Sequence, residues 1–293
     1  MTTAVTNDLV VLYALTSRVH LGPKAVLALL TYFGSPAAVW EADLNDVEAV
    51  VGLDEEGRAL LTEAYEQADT LGEELEYIIA AGTTPIGMHE ERYPQRLYRL
   101  GDPPSLIFVR GELPDESATA VAVVGSHQAD AEGIADAVTW GKGLVERDVV
   151  VVSGLARGID GGAHTGALAG EGQTVAVLGS GFDNIYPPEH RGLAEEIAAH
   201  GALVSEHPPS APLTKARLVQ RNRLIVALSD AVVVVRVIET TRGSMEAIRR
   251  ARDLACPVYL VASDASKTSR QAVADGAIPI GRIPDFDLVL NYL

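Results

Sequence analysis

Two different hydrophobic patterns divide this sequence. From Asn7 to Ala81 the apolar residues recur every three or four positions, which is the period of amphipathic helices. We therefore expect a small helical domain, of SAM-like or helix-hairpin-helix-like type, over residues 1–82. Within it, Leu21–Lys24 indicates a short turn before a helix. Such a turn either contacts a phosphate backbone through its amides or merely starts a packed helix.

The second half of the chain has the alternating pattern of an α/β domain. Residues 83–117 are punctuated by Pro and Gly and predict linking segments with a short strand. After Ala118, short β-branched runs alternate with helix-length segments; the runs are VAVVG, DVVVVSG, TVAVLGSG, ALVSE, AVVVVRV and PVYLVA. This order predicts a doubly wound, Rossmann-like parallel sheet with helices on both faces over residues 118–293.

The composition of the chain predicts a cytoplasmic location. The chain has 293 residues, 47% of them hydrophobic, which is enough for one large and one smaller core. It has no apolar run long enough to span a membrane, and its first residues do not follow the order of a signal peptide. The single cysteine, Cys256, forms no internal disulfide or zinc cluster and is expected to be a buried thiol.

The formal net charge of -17 argues against a nucleic-acid partner, since proteins that bind nucleic acids usually carry a basic surface. The charge is uneven, however, and four basic residues cluster at Lys215, Arg217, Arg221 and Arg223. We expect them to form a local basic rim that can hold phosphates.

Glycines and small polar residues follow three of the predicted strands. They lie at Gly125-Ser126, within Ser153–Asp160 and at Gly179–Gly181. Because ligands bind at the carboxyl ends of the strands in doubly wound sheets, these loops predict an anion cradle. No loop carries the GxGxxG or GxxxxGK[ST] pattern, so a NAD enzyme and a P-loop ATPase are both disfavoured.

The segment GIDGGAH begins a helix. Asp160 is expected at its cap or first turn, with His164 one turn later on the same face. Either His164 contacts a phosphate or a base, or it is an ordinary packed or surface histidine.

Five motifs in order, SGLARGIDGGAH, AVLGSG, NIYPPEH, SEHPP and RNRLIVALSDAVVVV, resemble those of the DprA/Smf family of DNA-processing proteins. The upstream segments FGSPAAVWEA and RYPQRLYRLGDPPSLIFVRGEL extend the resemblance over nearly the whole chain. The resemblance implies a non-catalytic cytoplasmic protein without cofactor that dimerises and binds single-stranded DNA. It also implies that the protein protects such strands and helps to load a RecA-type recombinase in natural transformation (competence) or recombination.

The resemblance also implies a DNA-binding pocket. Its members are Gly125, Ser126, His127, Gly154, Arg157, Gly158, Asp160, His164, Gly179, Ser180, Gly181, Tyr186, Arg221, Asn222, Arg223, Gly243 and Ser244. In this interpretation the three arginines clamp phosphates. Tyr186 either stacks on a base or anchors its turn by packing.

The chain departs from the family pattern in several places. His127 replaces the usual arginine and is mostly neutral at pH 7. Leu218 and Val219 replace a Phe-Pro pair, and Thr240–Glu246 replaces a Ser-Gly-Ser region. The winged-helix tail of many members is expected to be absent.

Two other functions stay open at this point. The stretch Gly243–Glu246 has some likeness to a motif of LOG-type nucleotide phosphoribohydrolases, in which a carboxylate stabilises a ribosyl transition state. Alternatively, the pocket is vestigial and the acidic helical domain binds a protein partner.

Overall fold

The computed structural model describes residues 4–237, 242–261, 267–282 and 284–291. They form two compact units. The first comprises Met1–Val109 and Glu206–Pro209, and the second comprises Arg110–Ser205 and Ser210–Leu293. The domain limits that the sequence predicts, at residues 82 and 117, stay predictions.

The first unit is mainly helical. Its helices are α1 (Asn7–Tyr13), α2 (Pro23–Phe33), α3 (Pro36–Glu41), α4 (Leu44–Val51), α5 (Glu55–Glu66) and α6 (Ala68–Ala80). The turn predicted at Leu21–Lys24 is present, since Gly22 is the N-cap of α2 and Pro23 its first residue. After α6, strand β1 (Thr84–Gly87) pairs antiparallel with β2 (Leu106–Gly111).

The second unit contains a parallel sheet. Its strands are β3 (Ala120–Gly125), β4 (Val150–Ser153), β5 (Thr174–Leu178), β6 (Ala202–Ser205), β7 (Ala231–Val235), β8 (Val258–Val261) and β9 (Ile278–Ile280). They lie in the order β6-β5-β4-β3-β7-β8-β9, and every neighbouring pair is parallel. The predicted α/β fold is confirmed, and each of the six β-branched runs forms a strand. The short strand β9 was not predicted.

Helices connect these strands. They are α7 (Ala131–Val145), α8 (Ile159–Ala169), α9 (Arg191–His200), α10 (Lys215–Gln220), α11 (Asn222–Ala227), α12 (Arg242–Asp253), α13 (Lys267–Ala274) and α14 (Phe286–Leu290). The strands consist largely of buried Val and Ala because they are covered on both faces. Trp140 of α7 is fully buried in the core on one face of the sheet.

The strand order places a topological switch point between β3 and β7. From β3 the chain winds outward through β4, β5 and β6, and then returns to the other side of β3 to form β7. The loops that follow β3 and β7 therefore diverge and leave a crevice, which is where doubly wound proteins bind ligands. None of the helices in the described ranges combines the length and the apolar character that a membrane span requires.

Candidate functional site

A cavity of about 340 Å³ lies at this switch point. Its wall is formed by Val124, Gly125, His127, Ala156, Arg157, Asp160, Tyr186, Leu218, Val219, Arg221, Asn222, Ile225, Gly243, Ser244 and Ala247. The structure thus brings together many of the residues that the sequence predicts for the pocket. Ser126, Gly154, Gly158, His164, Gly179, Ser180, Gly181 and Arg223 are not among the wall residues.

Arg157 and Tyr186 form a pair at this cavity. The guanidinium carbon of Arg157 lies 5.4 Å from the centre of the Tyr186 ring, and Nη1 donates to the tyrosine hydroxyl at 3.2 Å. The side chain of Arg157 is 47% exposed, and Tyr186 is 45% exposed. The guanidinium lies over one face of the ring, and both side chains remain about half exposed.

Glu189 holds this arginine in place. Nε of Arg157 donates to Oε1 of Glu189 at 2.5 Å. This hydrogen bond keeps the pKa of the Glu189 carboxyl below its ordinary value, so the carboxylate is charged at neutral pH. An incoming phosphate would compete with Glu189 for Arg157.

Arg221 is buried inside the protein beside the cavity, and the phosphate clamp predicted for it stays a prediction. It is 6% exposed, and its Nη1 donates to the carbonyl oxygen of Val177 at 2.7 Å. Nη2 lies 3.5 Å from Oδ2 of Asp160, which is also buried. Burial raises the pKa of the Asp160 carboxyl, and the adjacent guanidinium opposes that rise only in part. Arg221 therefore braces the floor of the cavity.

Gly154 is needed because Arg221 lies over its backbone. A Cβ atom on Gly154 would lie 1.5 Å from Nη1 of Arg221. The role of this glycine is to admit the guanidinium, and it does not itself line the cavity.

Two of the four clustered residues that predict a basic rim are buried. Arg223 is 2% exposed and lies in the buried helix α11. Arg221 is buried as described above, so only Lys215 and Arg217 of the cluster remain accessible to solvent. The RNR triplet at the start of α11 is buried, whereas charged residues in a sequence usually indicate an exposed position.

Several amide groups of the predicted anion cradle are already hydrogen-bonded to other backbone groups of the protein. The amide of Ser126 donates to the carbonyl oxygen of Arg236 at 3.1 Å, and that of Gly181 donates to Ala211 at 2.9 Å. The hydroxyl of Ser180 donates to the carbonyl oxygen of Asn184. These groups stabilise the loops after β3 and β5 and are not available to a phosphate.

His164 lies in the interior, as the alternative of an ordinary packed histidine predicts, and it is not among the wall residues of the cavity. It follows Asp160 by one turn of α8, as expected, but it is fully buried. Its Nδ1 lies 2.8 Å from Oγ1 of Thr174, whose hydroxyl proton is given to the carbonyl oxygen of Val151. His164 Nδ1 must therefore be the donor, and Nε2 carries the free lone pair. Burial lowers the pKa of His164 to about 3.

The start of α12 forms another part of the cavity wall. Gly243 and Ser244 lie in its first turn, and the side-chain Nδ2 of Asn222 donates to the carbonyl oxygen of Gly243 at 3.3 Å. Ser244 is 3% exposed, and its hydroxyl has no hydrogen-bond partner among the described residues. Thr240 and Thr241, which depart from the family pattern, lie outside the described residues.

Glu246, the carboxylate considered for nucleotide hydrolysis, is engaged elsewhere. Its Oε1 accepts from Nε of Arg250 at 2.9 Å, and it also forms an ion pair with Arg249. It does not belong to the cavity wall. The structure offers no support for a catalytic role of this side chain.

Sequence reasoning missed the apolar half of the cavity. Leu218, Val219 and Ile225 come from α10 and α11, and Ala247 comes from α12. In the sequence, Leu218 and Val219 stand where the family pattern has a phenylalanine and a proline. Their position shows that this part of the wall is apolar, as the walls of most ligand pockets are.

Together the fold and the cavity define a Rossmann-like protein with a cavity at the switch point of its sheet. The family model of DNA recombination-mediator protein A matches residues 84–287. The chain belongs to this family, as the resemblance indicates.

Similar proteins have been named in several bacteria. The chain is 39% identical over 187 residues to the putative DNA processing protein DprA of Mycobacterium tuberculosis. The aligned region covers 59% of this chain and 48% of that relative. It is 36% identical over 155 residues to DNA processing protein DprA of Bacillus subtilis. That alignment covers 53% of this chain and 52% of the relative. The chain thus spans about half the length of these curated relatives.

Two solved structures share the fold. DNA processing protein A of Streptococcus pneumoniae superposes with a TM-score of 0.80 at 28% identity and covers 95% of both chains. DNA processing protein A of Helicobacter pylori, whose structure describes a single-stranded DNA binding mode, superposes with a TM-score of 0.63 at 26% identity. That match covers 72% of this chain and 96% of the other.

Proposed function

We propose that the protein is a non-catalytic, cytoplasmic DNA-processing protein that binds single-stranded DNA at the switch-point cavity. The observation that carries the proposal is the exposed pair of Arg157 and Tyr186 at the cavity. A guanidinium can hold a phosphate, and a neighbouring ring can stack a base, which is the combination that single-strand-binding proteins use. Family membership and the binding mode described for the Helicobacter pylori relative support the same function.

The protein offers little positive charge to attract a strand of DNA, and this limits the proposed affinity. The net charge is -17, and Arg221 and Arg223 are buried. Only Arg157 and His127 remain as exposed basic groups among the wall residues that the structure describes. We therefore propose binding that depends on few phosphate contacts and has a shallow salt dependence for this class of protein.

Three further features are proposed from the resemblance. The protein forms a homodimer, protects exposed single strands and passes them to a RecA-type recombinase. Sedimentation of the purified protein tests the first of these. Strand exchange by the recombinase, with and without the protein, tests the last.

Replacing Arg157 by glutamine tests the site itself. We expect Arg157→Gln to weaken binding of labelled oligo-dT about tenfold, because one charged phosphate contact is lost. The slope of log K against log salt should become shallower by about 0.7, the value for one phosphate on a single strand. Fluorescence anisotropy across a salt series measures both quantities, with duplex DNA as competitor.

Arg191→Gln is the matched control. Arg191 is an exposed arginine at the start of α9 and is not part of the cavity wall. It should leave the affinity and the slope unchanged. Equal affinities of the wild type and Arg157→Gln would remove the cavity from the DNA site, and an absence of oligo-dT binding by the wild type would refute the proposed function.

Replacing Glu189 should have the opposite effect on affinity. In Glu189→Gln the carboxylate no longer competes with phosphate for Arg157. We expect oligo-dT to bind about two- to threefold more tightly, which is the scale of one exposed ion pair. The same titration measures the change, and weaker binding would show that Glu189 is needed to orient Arg157.

A further inference from the structure

The helical unit contains a cavity of its own. It is a groove of about 470 Å³ lined by residues of α1, α3 and α6, and its volume lies within the range of ligand pockets. Val10 and Val11 of α1 and Trp40 of α3 form part of its wall. The centre of the Trp40 ring lies 4.1 Å from that of Tyr65, whose hydroxyl donates to the carbonyl oxygen of Val39. The groove therefore has an apolar and aromatic wall that is held in place by the helices around it.

A glycine in the interior of α6 keeps the groove open. Gly72 lies well inside this 13-residue helix and lines the groove. Glycine is unfavourable in the interior of a helix, and packing within the unit does not require it here. A Cβ atom on Gly72 would meet only Cγ2 of Val10, at 4.0 Å, which is an ordinary van der Waals distance. A longer side chain at this position would take up space that the glycine leaves free for a ligand.

Three carboxylates of α6 also line the groove. Asp69, Glu73 and Glu76 follow one another at spacings of four and three residues, and all three are exposed. They extend over about 10 Å, because an α-helix rises about 1.5 Å per residue. None of these side chains forms a hydrogen bond or an ion pair with another described residue. Because like charges at these spacings repel one another, a cationic ligand beside them would be stabilised.

The helical unit holds few basic residues that could neutralise these carboxylates. Residues 4–81 contain 14 Asp and Glu residues but three Lys and Arg residues. Two of those three, Arg18 and Arg58, already form ion pairs within the unit. This charge repels nucleic acids, and the surface that complements it is basic.

We propose that this groove binds a basic segment of a partner protein. An apolar side chain of the segment packs against Val10 and Trp40 beside Gly72, and its lysine or arginine side chains pair with the carboxylates of α6. An amphipathic helix meets both requirements, since its apolar and basic residues recur at the spacing of a helical turn. The groove belongs to the first unit and the switch-point cavity to the second, so this proposal does not rest on the proposed function.

A labelled basic peptide is the probe for this groove. The peptide Lys-Leu-Ala-Lys-Leu-Ala-Lys, repeated twice and amidated, has lysines and leucines at helical spacing. A control peptide has alanine in place of each leucine and keeps the same charge. Fluorescence anisotropy with the full-length protein should show the leucine peptide binding about fivefold or more tightly than the control, because only its leucines can be buried in the groove. Equal binding of the two peptides would indicate attraction by charge alone and would overturn the proposal, as would an absence of binding.

Filling the groove should abolish this preference. We expect Gly72→Leu to weaken the leucine peptide about fivefold or more without lowering Tm, because leucine occupies the groove and favours a helix more than glycine does. Gly72→Ala is the matched control, since it makes the helix more favourable but adds only a methyl group, and it should keep the wild-type affinity. An unchanged affinity in Gly72→Leu would place the peptide elsewhere on the protein and would overturn the assignment.

Removing two of the carboxylates tests the basic character of the ligand. Glu73→Gln combined with Glu76→Gln should weaken the leucine peptide about fivefold, as expected for the loss of two exposed ion pairs. Glu55→Gln combined with Glu56→Gln removes the same charge from α5, outside the groove wall, and should change the affinity less than about twofold. Equal losses in the two double variants would show that the peptide responds only to net charge. An oligomer of the protein alone that Gly72→Leu dissociates in sedimentation would identify the occupant as a second copy, and it would overturn the assignment to a partner protein.

Discussion

Replacing Arg221 by glutamate is expected to destabilise the fold by about 3–5 kcal/mol, before any effect on DNA binding can be measured. The arginine and Asp160 are both buried, and the guanidinium also donates to the carbonyl oxygens of Val177 and Leu218. Arg221→Glu removes these bonds and places a second carboxylate beside Asp160. A buried charge that loses its partner costs several kcal/mol.

Urea unfolding at pH 7 measures this change. Arg191→Glu is the control, since it makes the same change of charge at an exposed position and should alter the free energy of unfolding by less than about 0.5 kcal/mol. In a second comparison, Arg221→Met should be destabilised, and Asp160→Asn should recover part of the loss in that background because no charge is then left unpaired. An Arg221→Glu protein as stable as the wild type would contradict the bracing role and return Arg221 to the list of phosphate clamps.

The sequence predicted the scaffold well for a simple physical reason. A parallel strand covered on both faces must be apolar throughout, so runs such as AVVVV of β7 can be recognised without knowledge of their partners. The order of strands and helices then restricts the topology, and with it the edge where ligands bind. The cavity was found at that edge.

The pairing of buried charges could not be predicted in the same way. Asp160 and Arg221 are 61 residues apart in the sequence, and only the folded chain brings them together as partners. Local sequence shows an aspartate at a helix start and an RNR triplet, both of which are usually exposed. The distinction between an arginine that binds a ligand and one that braces the floor depends on this long-range contact.

Long-range contacts also explain why the glycine-rich loops do not form the predicted anion cradle in full. A glycine-rich turn after a strand predicts accessible amides, but the amides of Ser126 and Gly181 are taken by Arg236 and Ala211, far along the chain. Conversely, Ser244 belongs to a segment that departs from the family pattern. Only the structure shows that its hydroxyl is buried at the cavity without a hydrogen-bond partner among the described residues. The candidate site therefore retains Arg157, His127 and Tyr186 as its accessible polar side chains.

His164 leads to the second large effect, a dependence of stability on pH. Its pKa is lowered from 6.5 to about 3 by burial, so the unfolded chain binds a proton more readily than the folded one. Stability from this group is thus complete above pH 6.5 and is lost as the pH falls from 6.5 towards 3. The physical reason is that protonation would place an N–H on Nε2, which has no partner among the described residues.

We therefore expect His164→Gln to flatten the pH dependence of the free energy of unfolding. Between pH 7.5 and pH 5 the wild type should lose about 2 kcal/mol more than the variant does, since each pH unit below the unfolded pKa costs about 1.4 kcal/mol. Urea unfolding at both pH values measures this difference, and His200→Gln, at an exposed histidine that ends α9, should keep the wild-type dependence. Equal pH dependences of the wild type and His164→Gln would mean that the folded protein protonates His164 as readily as the unfolded chain does. Nε2 would then have a partner or contact with water, and a contact with phosphate would again be open to it.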